Sequence, residues 1–387
     1  MVQVVYPGVY VEEIAHGVAS IAYAPTAVTA FVGYTGVGPV NTPVPLSSFS
    51  DFERGFGGLH QDSPVSYAVR QFYINGGSDA LVVRVADASG NPVGVQQLIG
   101  DPEEKTGLYA LLHHDFNLLA VPETFHMTGG EEAAVITAGV ALCEAQQAFY
   151  IVDAPLTCTL FTITEWAHSA SRSCNAATYF PAVCIADPLA DDRPRTLAPS
   201  GTLAGVYART DATRGVWKAP AGGEANLLGV TDLALALNDM QNGQINPQAV
   251  NVLRTFAPHG RVAWGARTLR GSDTQADEYK YIPVRRLALF LEQSLVRGTY
   301  WAEMEPNNAE LWRHLRLGVE NFLHGLWRLG AFEGKTPEQA YFVQCDGETT
   351  TQQDQARGVV NLLVGFAPLK PSEFLLLRIQ QQTQRPE

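Results

Sequence analysis

Three features of the 387-residue sequence predict a mixed α/β fold with a mostly parallel sheet. Between Phe116 and Pro188 apolar segments of strand length alternate with helix-like ones: FNLLAVP, an alanine-rich stretch from about Gly130 to Gln147, AFYIVDAP, a helical stretch near Thr164 to Ser173, and YFPAVCIADP. Such alternation suits parallel strands joined by crossover helices. The strand candidates AVTAFVGY (27–34) and ALVVRVA (80–86) are continuous apolar runs, as expected of strands covered on both faces. Finally, two bounded helix patterns fill the stretch from Tyr279 to Phe332.

In chain order, the opening VQVVYPGVYVEEI is β-branched and aromatic on both sides of Pro7-Gly8 and reads as a kinked extended arm. After the strand at Ala27, a Pro-, Gly- and Ser-rich stretch leads to Asp62, Ser63 and Pro64, which start a helix that Asn75-Gly76-Gly77 ends. From Asp87 to Thr106 periodicity is lost, marking a boundary or an insertion site. Past the alternating segment, SGTLAGVYARTDATRGVWK (200–218) predicts a polar helix and turn. LALALNDM (233–240) predicts a helix, NVLRTF and RVAWGARTL a strand pair, and GSDTQADE a loop.

Of the two long helices, the first has Val284, Leu287, Leu291 and Leu295 behind Pro283, with Gly298 at its expected stop. The second has Asn308 as cap and a stripe of Leu311, Leu315, Phe322, Leu326 and Leu329 running to Gly330. Arg285 and Arg286 fall in the first turn of the earlier helix, where the positive dipole end disfavours cations, so a carboxylate partner is expected. QAYFVQC and GVVNLLVGFAP predict strands around a polar loop, Asp346 to Arg357. SEFLLLRIQQQ closes the chain, with Phe374, Leu376 and Arg378 facing opposite to Leu375, Leu377 and Ile379 in an extended conformation.

A hydrophobic content of 46% with 17% charged residues is that of a soluble globular protein of one or two domains. The net charge of −13 argues against nonspecific nucleic-acid binding, and no apolar run is long enough to insert in a membrane. Charge is uneven: residues 279–330 carry seven Lys/Arg against five Asp/Glu, whereas residues 101–153 carry one lysine against nine acids. The five cysteines show no CxxC pair, so neither a disulfide framework nor a zinc site is indicated.

Chemical motifs are weak. Gly129-Gly130 precedes a helix without a GxGxxG or GxxxxGK[ST] pattern, no GxSxG elbow occurs, and the neighbouring His113 and His114 point apart on a strand. Asp187, Asp191, Asp192, Arg193 and Arg195 beside two prolines predict a charged surface loop, and Trp301, Trp312 and Trp327 are expected in the core.

Nine segments carry a resemblance: YPGVYVEEI (6–14), AFVGYTGVGPVNTPVPLSSFSDFERGFGG (30–58), AVRQFYINGGSDALVVRV (68–85), GVYARTDATRGVWKAPA (205–221), VAWGARTL (262–269), YIPVRRLALFLEQSL (281–295), MEPNNAELW (304–312), FLHGLWRLGAFEG (322–334) and APLKPSEFLLLRI (367–379). In this order they resemble the contractile tail sheath family, which includes the sheaths of phage tails, R-type pyocins and extracellular contractile injection systems. About twenty residues at 87–106 stand where many phage sheaths carry an added domain, which resembles the compact sheath type.

The resemblance implies an N-terminal arm (1–20), an inner α+β core (21–104 and 201–366), an outer α/β domain (105–200) and a C-terminal arm (367–387). It implies a structural protein without cofactor or enzymatic activity. Copies would form a helical array of hexameric rings around an inner tube protein, with baseplate and tail-terminator or cap proteins and, in some particles, sister sheath proteins as partners. The protein would be made and assembled in the cytoplasm as part of a virion tail or of a phage-tail-like particle that can be released. The arms, Val9, Tyr10, Val11 and Glu12 at one end and Phe374, Leu375, Leu376, Leu377, Arg378 and Ile379 at the other, would link subunits. Arg285, Arg286, Arg313, Arg316 and Arg328 would face the tube. The alternative expectation is a nucleotide- or sugar-handling enzyme built on the central α/β segment.

Overall fold

A computed structural model describes residues 20–87, 89–92, 94–275 and 277–373. The described residues divide into two units: one formed by residues 20–24 and 291–369, the other by residues 25–290 and 370–373.

In the larger unit the strands are β1 (Thr29–Gly33), β2 (Val44–Leu46), β3 (Ala80–Arg84), β4 (Leu118–Ala120), β5 (Phe149–Val152), β6 (Ala176–Phe180), β7 (Val183–Asp187), β8 (Arg193–Leu197), β9 (Asp232–Leu233), β10 (Val250–Phe256) and β11 (Gly260–Trp264). Eight of them form one sheet in the order β11-β10-β6-β5-β4-β1-β3-β2. β3, β1, β4, β5, β6 and β10 run parallel, and β2 and β11 close the edges antiparallel. β7 is the centre of a separate antiparallel sheet between β8 and β9.

The apolar strand runs have the expected cause. One face of the sheet puts Phe31, Val82, Leu118 and Phe149 against Phe52 and Phe56 of α1 (Phe49–Phe56), Phe72 of α2 (Pro64–Ile74) and residues 200–208 of a later helix. The other puts Ala30, Val32, Leu119 and Tyr150 against Leu98 of α3 (Val95–Ile99), Val135 and Ile136 of α4 (Glu131–Ala145) and Ile163 of α5 (Ile163–Ala170). Period-two alternation therefore survives as a choice between two buried faces.

The structure revises five expectations for this unit. First, residues 105–200 do not separate from their surroundings: β4, β5 and β6 are central strands of a sheet whose flanks come from residues 29–84 and 250–264. Ladder hydrogen bonds cross both expected boundaries. Second, the stretch from Asp87 to Thr106, expected to mark a boundary or an insertion site, contributes to the core: Leu98 of α3 is 1% exposed. Third, the helix expected over 233–240 starts only at Asp239, in α7 (Asp239–Ile245 after α6, Ser200–Arg214), where Asn238 and Gln241 form a capping box. Leu233 is buried from strand β9 and Leu237 from the irregular backbone after it, since an i,i+4 spacing alone does not establish a helix. Fourth, α6 is buried through its first nine residues. Its polar appearance reflects small residues at close contact: a Cβ on Gly205 would stand 2.4 Å from the Phe72 carbonyl oxygen of α2.

Asp187 also departs from the surface-loop expectation. It is 4% exposed at the end of β7, accepts from the Tyr67 hydroxyl at 2.8 Å and pairs with Arg195 at 3.2 Å. Burial opposes its charge, but the Leu189 N–H, the Tyr67 hydroxyl and Arg195 outweigh that and hold the carboxyl below its usual range. Another buried carboxyl, Asp153 just past β5, accepts the Ser200 N–H at 2.9 Å and is pushed up to about 7 by burial.

The division between units falls within α8 (Ile282–Thr299), between Phe290 and Leu291. This helix ends at Thr299, one residue past the expected stop at Gly298, and runs on as a 3-10 turn over Tyr300–Ala302. The smaller unit contains the distal part of α8, then α9 (Ala309–Arg328), a short helix α10 (Pro337–Ala340), β12 (Tyr341–Gln344), α11 (Gln352–Ala356) and β13 (Leu363–Phe366). Asn308 caps α9 as expected, accepting from Glu310 and Leu311. Its buried stripe holds Leu311, Leu315, Phe322 and Leu326 with Trp312, Val319 and Leu323, whereas Leu329 lies past the helix end and is exposed. Of the three tryptophans expected in the core, Trp312 is buried with its indole N–H on Asn307, while Trp301 is 37% exposed.

Candidate assembly interface

The sites named from the sequence fall into two groups. Val9, Tyr10, Val11 and Glu12 and Phe374, Leu375, Leu376, Leu377, Arg378 and Ile379 lie outside the described residues. The five arginines are described, and they differ sharply from one another.

Arg286 is a correction. Its side chain is 3% exposed and that of Asp211 on α6 is 5% exposed; the two pair at 2.6 Å, with a second nitrogen–oxygen bond of 2.9 Å. The guanidinium also donates to the Thr26 carbonyl and lies 4.9 Å from the Tyr207 ring centroid. The expected carboxylate exists, but within the subunit, so Arg286 holds β1's approach and α6 to α8 instead of reaching outward. Arg285 donates to Asn175 Oδ1 at 2.8 Å and stacks on Tyr279 at 4.8 Å, which likewise gives it work inside its own unit.

On α9, Arg313 and Arg328 are exposed and Arg316 is half-buried, facing Glu320 at 3.8 Å. Arg313 lies beside His314, with Nη2 and Nε2 3.1 Å apart. At 100° per residue the three arginines lie within about 120° of the helix circumference, and Arg328 sits about 22 Å along the axis from Arg313. They share one face, opposite the buried stripe, with Glu310 and Glu320, which leaves it only sparsely basic.

The same unit carries a two-stranded antiparallel sheet in which Tyr341 pairs with Phe366 and Gln344 with Leu363. Phe332 extends it through a bridge to Pro368, and Glu333 donates to the Ala367 carbonyl at 2.9 Å. Phe332 packs on Tyr341 and Phe366 with ring centroids 6.2 and 5.9 Å apart. Among the described residues no further strand joins this pair beyond the Phe332–Glu333 bridge at the end of β13, and Phe342 and Leu363 are 55% and 51% exposed. A two-stranded sheet is marginal alone and its open edges invite another chain.

In the larger unit, sequence reasoning missed the anchor at the root of the C-terminal segment. Arg267 is fully buried and bonds Glu373 through two nitrogen–oxygen contacts of 2.7 Å each, and Asp273 at 2.9 Å. The Tyr281 hydroxyl adds a donor to Glu373 at 3.2 Å. Burial works against the guanidinium's charge, but Glu373 and Asp273 prevail and hold it above its ordinary value. Lys280, then Arg267, hold the Asp273 carboxyl below the usual range. A separation of 106 residues hides this pairing from any local pattern.

For catalysis, the described residues hold no group of three metal-ligating side chains. His113 and His114 stand in a turn region after a 3-10 helix, and Gly130 caps α4 with Glu131 and Glu132 in the first turn, where a phosphate would otherwise sit. No helix among the described residues is long and apolar enough to cross a membrane.

A doubly covered sheet joined in one chain to a helix-and-hairpin unit with unfilled strand edges defines a structural subunit built for association. Residues 274–382 match the family model of the phage tail sheath C-terminal domain. Across nearly the whole chain the fold is similar to the sheath of an extracellular contractile injection system, PVC, in its contracted state (29% identity, TM-score 0.78, 99% of both chains). It is also similar to the contracted helical sheath of the anti-feeding prophage, AFP (31% identity, TM-score 0.75, 98% of this chain and 100% of the other). A putative prophage major tail sheath protein of Pseudomonas aeruginosa (strain UCBPP-PA14) is 25% identical over 88% of this chain and 86% of its own. The match to the tail sheath protein of Enterobacteria phage T4 spans 23% of that protein's length. The chain belongs to the contractile tail sheath family, a family of structural subunits of helical assemblies.

Proposed function

We propose that this protein stacks as hexameric rings into a helical tube around an inner tube protein, nucleated on a baseplate and closed by a terminator or cap protein, sister sheath proteins sharing the array in some particles. On triggering, the array shortens and drives the inner tube through a target envelope. The role is mechanical and requires no catalysis: the extended array is metastable, and contraction releases the difference between two packings of the same subunits. Synthesis and assembly are cytoplasmic, and the finished particle is released.

The observation that carries this reading is the open two-stranded sheet of β12 and β13. Extended arms from neighbouring copies, built on Val9 to Glu12 and Phe374 to Ile379, suit its edges, because strand addition supplies main-chain hydrogen bonds while alternate side chains pack. The smaller unit, which carries α9, is then the tube-facing region. Arg313, Arg316 and Arg328 on the basic face of α9 are the cations placed to meet an acidic tube. Exposed ion pairs contribute at most about 1 kcal/mol each and are screened by salt. Replacing all three by Glu is expected to abolish sheath formation on tubes at low salt while Arg313→Glu alone has little effect, read by negative-stain microscopy of co-expressed components. Normal sheaths from the triple variant would refute the tube-facing assignment.

A further inference from the structure

The sheet has a crevice whose lining includes no residue of β12 or β13. Chain order reverses between β1 and β4: β3 lies on one side of β1, and β4, β5 and β6 follow on the other. The crevice beyond the carboxyl ends of two such strands is the general ligand position of open α/β sheets. Here it holds a cavity of about 490 Å³. Val95, Leu98 and Met127 give it an apolar wall, and Asp62, Glu123, Glu131 and Arg195 its polar groups.

Charges in the cavity do not balance. Arg195 is already engaged by Asp187 at 3.2 Å and by the Gln61 carbonyl. Asp62, Glu123 and Glu131 enter no ion pair among the described residues. Glu123 follows β4, and its carboxyl is packed so closely on β1 that a Cβ on Gly33 would stand 2.0 Å from it. One oxygen, Oε1, accepts the Tyr34 N–H at 2.8 Å; the other, Oε2, is out of solvent with no partner at hydrogen-bond distance, while the backbone N–H groups of Glu123 and Val65 also favour the carboxylate. An unpartnered buried carboxyl oxygen beside a cavity marks a missing ligand group. Asp62 and Glu131, facing an arginine already paired elsewhere, disfavour an anion there.

We propose that this crevice binds a small organic cation, an ammonium or guanidinium on a short aliphatic stem, with its charged end on Glu123 and its stem against Val95, Leu98 and Met127. The cation is either a free molecule or a basic side chain of another copy of this chain. Burial pushes Glu123 up to about 8, so it is protonated at pH 7 when the crevice is empty and gives that proton to solvent as the cation binds. The groups facing it are Tyr34 and Asp62 before α2, Asp153 after β5, His126 in its own turn, Glu131 of α4 and Arg195 of β8; partial burial and Arg195 lower the His126 pKa.

Calorimetric titration of the full chain at pH 7 with n-butylguanidinium, in buffers of different ionisation enthalpy, tests this. Saturable binding with release approaching one proton is expected, and neutral butylurea is expected not to bind. Glu123→Gln is expected to weaken binding at least about tenfold and to abolish proton release. Should that variant fail to fold, Asp62→Asn and Glu131→Gln, both at exposed positions, must each weaken binding several-fold. Absence of saturable binding, equal binding of butylurea, binding without proton release, or unchanged binding in Glu123→Gln or in both surface variants would overturn the proposal. Sedimentation of assembling sheaths distinguishes the sources: inhibition by butylguanidinium identifies a side chain from another copy, and unaffected assembly identifies a free cation.

Discussion

Burial sorts the arginines of this chain into those that hold the fold and those available to a partner. Arg286 and Asp211 are each removed from water and joined by two charge-assisted bonds, so deleting either leaves an uncompensated charge inside. Arg286→Ala is expected to lose about 3–5 kcal/mol of stability in chemical denaturation, against about 0.5 kcal/mol or less for the exposed Arg313→Ala. Glu123 has the opposite linkage from a salt-bridged acid. Its folded pKa of about 8 lies above the ordinary 4.5, so the folded state binds more protons between those values. Its contribution is complete below about pH 4.5 and is lost as pH rises toward 8. Asp153, raised from 3.8 to about 7, adds to the same slope at slightly lower pH. Glu123→Gln is therefore expected to gain thermal stability relative to wild type between pH 6 and 9, with no advantage near pH 4. A variant whose stability tracks wild type at every pH would show that the carboxyl is charged in the fold.

At the scale of elements, helices and strands were legible in the sequence wherever a local rule acts. Asn308 caps α9, Ser63 and Pro64 start α2, and the apolar runs at Ala27 and Ala80 are doubly covered strands. What was not legible depends on partners distant in sequence. The packing of α6 on α2 rests on Gly201 and Gly205, small residues that lower its apparent amphipathicity. The Arg267–Glu373 anchor and the Tyr67–Asp187–Arg195 cluster are joined across 106 and 120 residues, and the crevice at Glu123 comes from strand order, which no local period encodes. The basic face of α9 was visible from its residues, whereas Arg286 looked equivalent until Asp211 came into place. The close contact at α6 carries its own prediction: Gly205→Leu would drive a side chain into the backbone of α2. Loss of at least about 3 kcal/mol or an insoluble product is expected, since overpacking without room to relax costs 1–3 kcal/mol even in accommodating cores.

For the whole molecule, the division at Leu369/Lys370 and the anchor at Glu373 fix what a truncation can test. Ending the chain after Glu373 keeps both carboxylate contacts to Arg267 and leaves β13 intact, so the subunit is expected to fold with an unchanged circular dichroism spectrum and melting temperature. What it removes is Phe374 to Glu387. Each main-chain bond of an added strand contributes about 1 kcal/mol net, too little to hold two subunits, but an array repeats the contact at every copy. Deleting residues 374–387 is therefore expected to leave folded protomers that form no long sheaths in electron micrographs, and deleting Met1 to Ile14 to do the same. Leu377→Pro removes a single donor and is expected to shorten sheaths without abolishing them. Full-length sheaths from both deletions would refute linkage through the arms. Loss of the folded protomer on removing residues 374–387 would instead place that segment in the subunit's own core, leaving the open edges of β12 and β13 to some other strand.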